Sequence, residues 1–143
     1  MDAAEAAINS FLAEYVKNAG SARRMVSIVT FANGATRKLD WTDANGGDDQ
    51  VASAVSRAIS FDANGGTCLE GGLMLARNLL RTGLQDSDAI AGIGSTHVIV
   101  LTDGIPTYYV SDWQSSTTAV DQISYTEGNS WNTGSTANYE DYC

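Results

Sequence analysis

The chain has 143 residues, 43% hydrophobic and 17% charged, enough for one domain with a core and incompatible with wholesale disorder. Eight basic against 17 acidic residues give a net charge of −9, so nucleic-acid phosphates and anionic membrane surfaces would repel it. No apolar run is long enough to insert in a membrane, and Cys68 and Cys143 make neither a disulfide framework nor a zinc site.

From Asp2 to Lys17, Ala4, Ile8, Phe11, Leu12 and Tyr15 recur at helical spacing, which predicts an amphipathic helix rather than a signal peptide. Met25–Ala32 is β-branched and mostly apolar, as expected of a strand covered on both faces. Asn33-Gly34 predicts a tight hairpin turn with φ > 0 at both positions. The return strand, Ala35–Thr42, carries Arg37, Lys38 and Asp40, which suit an exposed edge.

A second helix is expected over Asp49–Ile59. A third runs from about Cys68 to Arg81, with Leu69, Leu73, Ala76 and Leu80 on its inner face. Gly71 and Gly72 within it each cost about 1 kcal/mol against Ala, so close packing on a sheet is expected to compensate. Thr96–Thr102 (THVIVLT) reads as another doubly buried strand, ending at Asp103-Gly104. Strands alternating with helices imply a layered α/β fold with a mostly parallel sheet and one antiparallel edge strand. From Thr107 onward the chain is polar and aromatic, with room for a short helix at Thr118–Ser124. Residues 1–106 therefore form the domain core, and 107–143 an insertion or loop.

Open α/β sheets bind ligands beyond the carboxyl ends of their strands, where Asp103 is expected. Thr67, which follows Gly65-Gly66 and opens a helix, is expected at the same rim. A threonine hydroxyl and an aspartate carboxylate are suitable oxygen ligands for a hard cation. Each also has a plainer use. Thr67-Cys68-Leu69-Glu70 fits a capping box, and Asp103-Gly104 fits a turn. His97 has no triad partners and reads as structural. Cys68 stands at a helix start, where a thiol pKa can fall, but buried packing is its expected role.

Gly65-Gly66-Thr67 before a helix, followed by Val98-Ile99-Val100-Leu101-Thr102-Asp103-Gly104, resembles two parts of the metal-ion-dependent adhesion site of von Willebrand factor A (vWA) domains. The hairpin Val26–Trp41 and the first helix, with its Ala-Ile-Asn-Ser-Phe-Leu stretch, are similar to that family too, so the likeness spans about Asp2 to Pro106. It implies a Rossmann-like three-layer fold, with Thr67 and Asp103 as ligands of Mg²⁺ or Mn²⁺. It also implies a non-enzymatic adhesion module that takes an acidic side chain of a protein partner on the metal. By the resemblance the partner would be an extracellular-matrix or cell-surface protein, which implies an extracellular or cell-surface location. Gly66, Gly104, Tyr108, Tyr109 and Trp113 would lie on the binding face, where bacterial surface and pilus-tip proteins of the family carry insertions.

The family's Asp-x-Ser-x-Ser element is absent, together with the central first strand that bears it and the C-terminal strands. The chain is accordingly expected to be an incomplete domain, begun at an internal methionine, with weak metal affinity and reduced stability. A second class of function, a haloacid-dehalogenase-like phosphohydrolase using Asp103, needs an aspartate where Ile105 stands. No phosphate-binding loop, nucleophile elbow or dinucleotide fingerprint supports another enzyme.

Overall fold

The structure, a computed structural model, describes residues 2–17, 23–44, 56, 65–85, 90, 94–102, 105–110, 117–123 and 125–127. Helix α1 spans Asp2–Lys17, as its Ala-rich sequence and helical apolar spacing predict. Strand β1 is Met25–Phe31 and β2 is Ala35–Asp43, joined as an antiparallel hairpin. Helix α2 is Leu69–Gln85, three short strands follow at Tyr108–Val110 (β3), Gln122–Ile123 (β4) and Tyr125–Glu127 (β5), and the second helix expected over 49–59 lies outside the described residues except for Ser56, which is helical.

Successive residues of a strand face opposite sides, and β1 uses both. Val26 and Ile28 pack with Leu12 and Ile8 of α1, while Val29 and Phe31 join the main core under α2. The two helices therefore cover opposite faces, as the apolar residues on both sides of β1 require. Strand β2 meets the same demand by a different device. Its register against β1 shifts twice, between Val26 and Ile28 and between Ile28 and Val29. Extra residues in β2 at these bulges let Leu39 face α1 while Ala35 and Trp41 face α2.

The inner face of α2 differs from the one expected. Leu73 is 46% exposed, whereas Gly71, Gly72, Met74, Leu75, Asn78, Leu79 and Gly83 are buried. Counting large apolar residues misses this stripe because glycines form much of it. A Cβ on Gly72 would lie 2.7 Å from Phe31 Cδ1, and one on Gly83 would lie 2.7 Å from Trp41 Nε1. The glycines thus let the helix backbone press onto the sheet, which is the compensation their helix-breaking cost requires. Trp41 Nε1–H donates to the Leu79 carbonyl at 3.3 Å, tying β2 to the same helix.

The sheet corrects the expected fold class. It has the order β1-β2-β4 and is antiparallel throughout; β3 and β5 form a separate antiparallel pair. It is not mostly parallel, and β2 lies inside it rather than at its edge. The physical reason lies in Thr96–Thr102, the run expected to supply a parallel strand. It belongs to no strand, and Val98, Ile99, Val100 and Leu101 are 51%, 58%, 42% and 46% exposed. β propensity makes a strand only where a neighbour supplies ladder partners. The pairs that do form in this sheet are the local β1–β2 hairpin and the long-range contact of β4 with the start of β2.

Two local expectations are also corrected. Thr117 and Thr118 form a turn and Gln122–Ile123 a strand, so no helix occupies the described part of 118–124. The hairpin connection comprises residues 32–34, since Phe31 pairs with Ala35, and Gly65 rather than Gly34 is the described glycine with positive φ.

Candidate functional site

The Gly65–Cys68 loop, at the start of α2, meets the β1–β2 turn on one side and β3 on the other. Gly65 has φ 101°, which lets the chain reverse into the helix. Gly66 N–H donates to Asn33 Oδ1, so the turn asparagine is used to hold this loop. Cys68 N–H donates to the Ala32 carbonyl at 2.7 Å. These two bonds fix the loop to the carboxyl end of β1.

Strand β3 locks the other side. Thr67 N–H donates to Thr107 Oγ1 at 2.8 Å, and the Thr67 carbonyl accepts from the Thr107 and Tyr108 amides at 2.8 and 3.2 Å. Val110 N–H donates to Glu70 at 3.0 Å. A Cβ on Gly66 would stand 1.8 Å from Tyr108 Cε2, so the tyrosine ring lies directly on the glycine. Gly66, Thr67 and Tyr108 are thereby brought together, while Tyr109 turns outward at 37% exposure. Asp103, Gly104 and Trp113 lie outside the described residues.

The capping box is not the arrangement found. Gly72 N–H donates to the Cys68 carbonyl, which makes Cys68, one residue later than expected, the cap of α2. Glu70 holds β3 instead of reaching back to Thr67. The hydroxyl of Thr67 makes no hydrogen bond with another described residue. Cys68 is fully buried, and burial pushes its thiol pKa up; Glu70 adds to the rise and a bond from the Gly71 amide opposes it. This is a packed thiol, not an activated one. His97 is exposed.

Several residues of this arrangement have weak sequence signals. Asn33 reads as a turn residue and Thr107 as the start of a polar segment. Their function depends on contacts with residues more than thirty positions away. Glu70 is visible as an acidic residue in the first helical turn, but its partner is set by the fold.

The donor set can be tested against a cation. Among the described residues no group of three or more His, Cys, Asp or Glu is placed to hold a metal ion. The loop contributes one neutral hydroxyl, and the carboxylate of Glu70, in the first turn of α2, is turned onto a backbone amide. A hard divalent cation requires more oxygen ligands than this, so the described residues alone do not fit one.

No described helix is long and apolar enough to cross a membrane. No curated protein and no solved structure matches the chain. The family model described as "von Willebrand factor type A domain" matches residues 1–105, which include α1, the β1–β2 hairpin, the Gly65–Cys68 loop and α2. On this match over most of its length, the chain belongs to the von Willebrand factor type A domain family.

Proposed function

We propose that the chain is a protein-binding module whose docking face centres on the Gly65–Cys68 loop and the adjoining strand β3. The family's domains are generally non-catalytic binding modules, which sets the phosphohydrolase reading aside. The observation that carries the proposal is the bracing of Thr67. Bonds from both flanking elements hold its backbone, yet its hydroxyl serves no described partner. A polar group held on a rigid frame is organised before a ligand arrives, which lowers the entropic cost of binding. Tyr109, exposed beside it, offers an aromatic anchor of the kind that dominates protein interfaces.

The finer reading adds Mg²⁺ or Mn²⁺ on Thr67 and Asp103, with an acidic side chain of the partner completing the ligand set. Gly66, Gly104, Tyr108 and Trp113 would border that contact. Its proposed setting is the cell surface, on an adhesin such as a pilus-tip protein, with an extracellular-matrix or cell-surface protein as partner.

Mn²⁺ titration of the full chain, followed by the magnetic resonance of free Mn²⁺, tests the metal part. Saturable binding that weakens by about tenfold or more in both Thr67→Ala and Asp103→Asn supports it. A wild-type chain that leaves Mn²⁺ free, or binding that both variants retain, removes the cation from the proposal.

A further inference from the structure

Strand β3 meets the start of α2 edge-on. Amides two residues apart in a strand point to the same edge, and Tyr108 and Val110 turn theirs onto the Thr67 carbonyl and the Glu70 carboxylate. The opposite edge pairs with β5. A helix start thus fills the place of a neighbouring strand, and among the described residues β3 shares no ladder with the main sheet. The contact is small. Of the three residues of β3, Val110 alone has a buried side chain; Tyr108 is half-buried and Tyr109 exposed.

The Gly65–Cys68 loop is held more firmly on its other side. Gly66 and Cys68 donate their amides to Asn33 and Ala32 of the β1–β2 hairpin. That hairpin pairs along nearly all of β1, which is covered on both faces by α1 and α2. Segments open locally in the order of how little they bury and bond, so β3 should leave the loop before the hairpin does.

We infer that β3 is a latch, which docks on and leaves the Gly65–Cys68 loop as one unit while the loop stays fixed to the hairpin. Docking holds the Thr67 backbone through Thr107 and Tyr108 and seats the Tyr108 ring on Gly66. Docked and released β3 are therefore a braced and a loose form of the same loop. A ligand of the Thr67 hydroxyl selects the braced form and keeps β3 in place, a coupling that rests on the loop being a docking face. The latch itself rests on the contacts alone.

Amide hydrogen exchange of the full chain, over a urea series below the unfolding transition, tests the latch without a ligand. The Thr67, Tyr108 and Val110 amides are expected to exchange together. Their urea dependence should be clearly shallower than that of the β1–β2 amides, because release exposes little surface. The Gly66 and Cys68 amides should stay more protected. Thr107→Val removes the acceptor for Thr67 N–H and keeps a β-branched shape. It is expected to speed exchange at Val110 by about fivefold or more, although the Glu70 acceptor of that amide is untouched. Glu70→Ala is the converse variant, expected to speed exchange at Thr67 and Tyr108. Acceleration confined to Thr67 in the first variant and to Val110 in the second means independent bonds and overturns the latch. Exchange of all three amides with the urea slope of the hairpin overturns it too, since β3 then leaves only on global unfolding. So does joint exchange of Gly66 and Cys68 with β3, which means that the whole loop melts. A chain that meets these expectations yet binds nothing at Thr67 keeps the latch and loses the docking face.

Discussion

Gly72→Ala isolates the close approach of α2 to the sheet. In an open helix the change is stabilising by about 1 kcal/mol, because alanine is the better helix former. Here the added methyl would lie 2.7, 3.0 and 3.2 Å from Cδ1, Cγ and Cβ of Phe31. Two of these atoms lie at or next to the base of the side chain, so a rotation at the ring's far end does not relieve the contact. Phe31 also packs in the main core, and its strand is fixed by pairing with β2. Overpacking of this kind costs about 1–3 kcal/mol and outweighs the propensity gain, leaving a net loss of about 1 kcal/mol or more. Gly71→Ala is the internal comparison: its methyl would meet Cys68 Sγ at 3.0 Å but Ala35 Cβ and Ile123 Cγ2 only at 3.5 and 3.6 Å. The clash is confined to one atom, and the net effect should be clearly smaller. Urea unfolding of both variants beside the parent measures the difference, provided the slope is unchanged. A Gly72→Ala protein as stable as the parent would refute the proposed helix–sheet contact.

Further measurements probe the loop and its lock. Glu70→Ala removes the acceptor for Val110 N–H and should cost about 1–3 kcal/mol, with faster exchange of the Val110 amide; Glu70→Gln should recover part of this loss. Because burial raises the Cys68 pKa above its ordinary value of 9.0, the folded state retains the thiol proton to higher pH than the unfolded chain. The stabilising contribution is present below about pH 9 and is lost as pH rises through the folded-state value, so Cys68→Ala should flatten the alkaline fall in stability. Trp41→Phe should destabilise by about 0.5–1.5 kcal/mol through loss of the bond to the Leu79 carbonyl, read as a lower unfolding midpoint.

Local chemistry in the sequence determines α1, both strands of the hairpin and the existence of α2. Ala- and Leu-rich spacing, a β-branched run and glycine punctuation act over a few residues, and these signals survive in the fold. The Gly65-Gly66-Thr67 loop, with its family likeness, was equally legible. What the signals do not carry is the choice of neighbour. The inner face of α2 is set by where glycines permit approach, and the asparagine of the hairpin turn is used by a loop distant in sequence. Thr67 reads as a cap until the fold assigns that position to Cys68 and sends Glu70 to β3. Thr96–Thr102 has the composition of a buried parallel strand, yet Val98–Leu101 is exposed. Strand propensity is a property of a segment, whereas a ladder requires a second segment to accept and donate its hydrogen bonds. Tertiary structure decides that pairing, and with it the antiparallel sheet and the braced threonine loop.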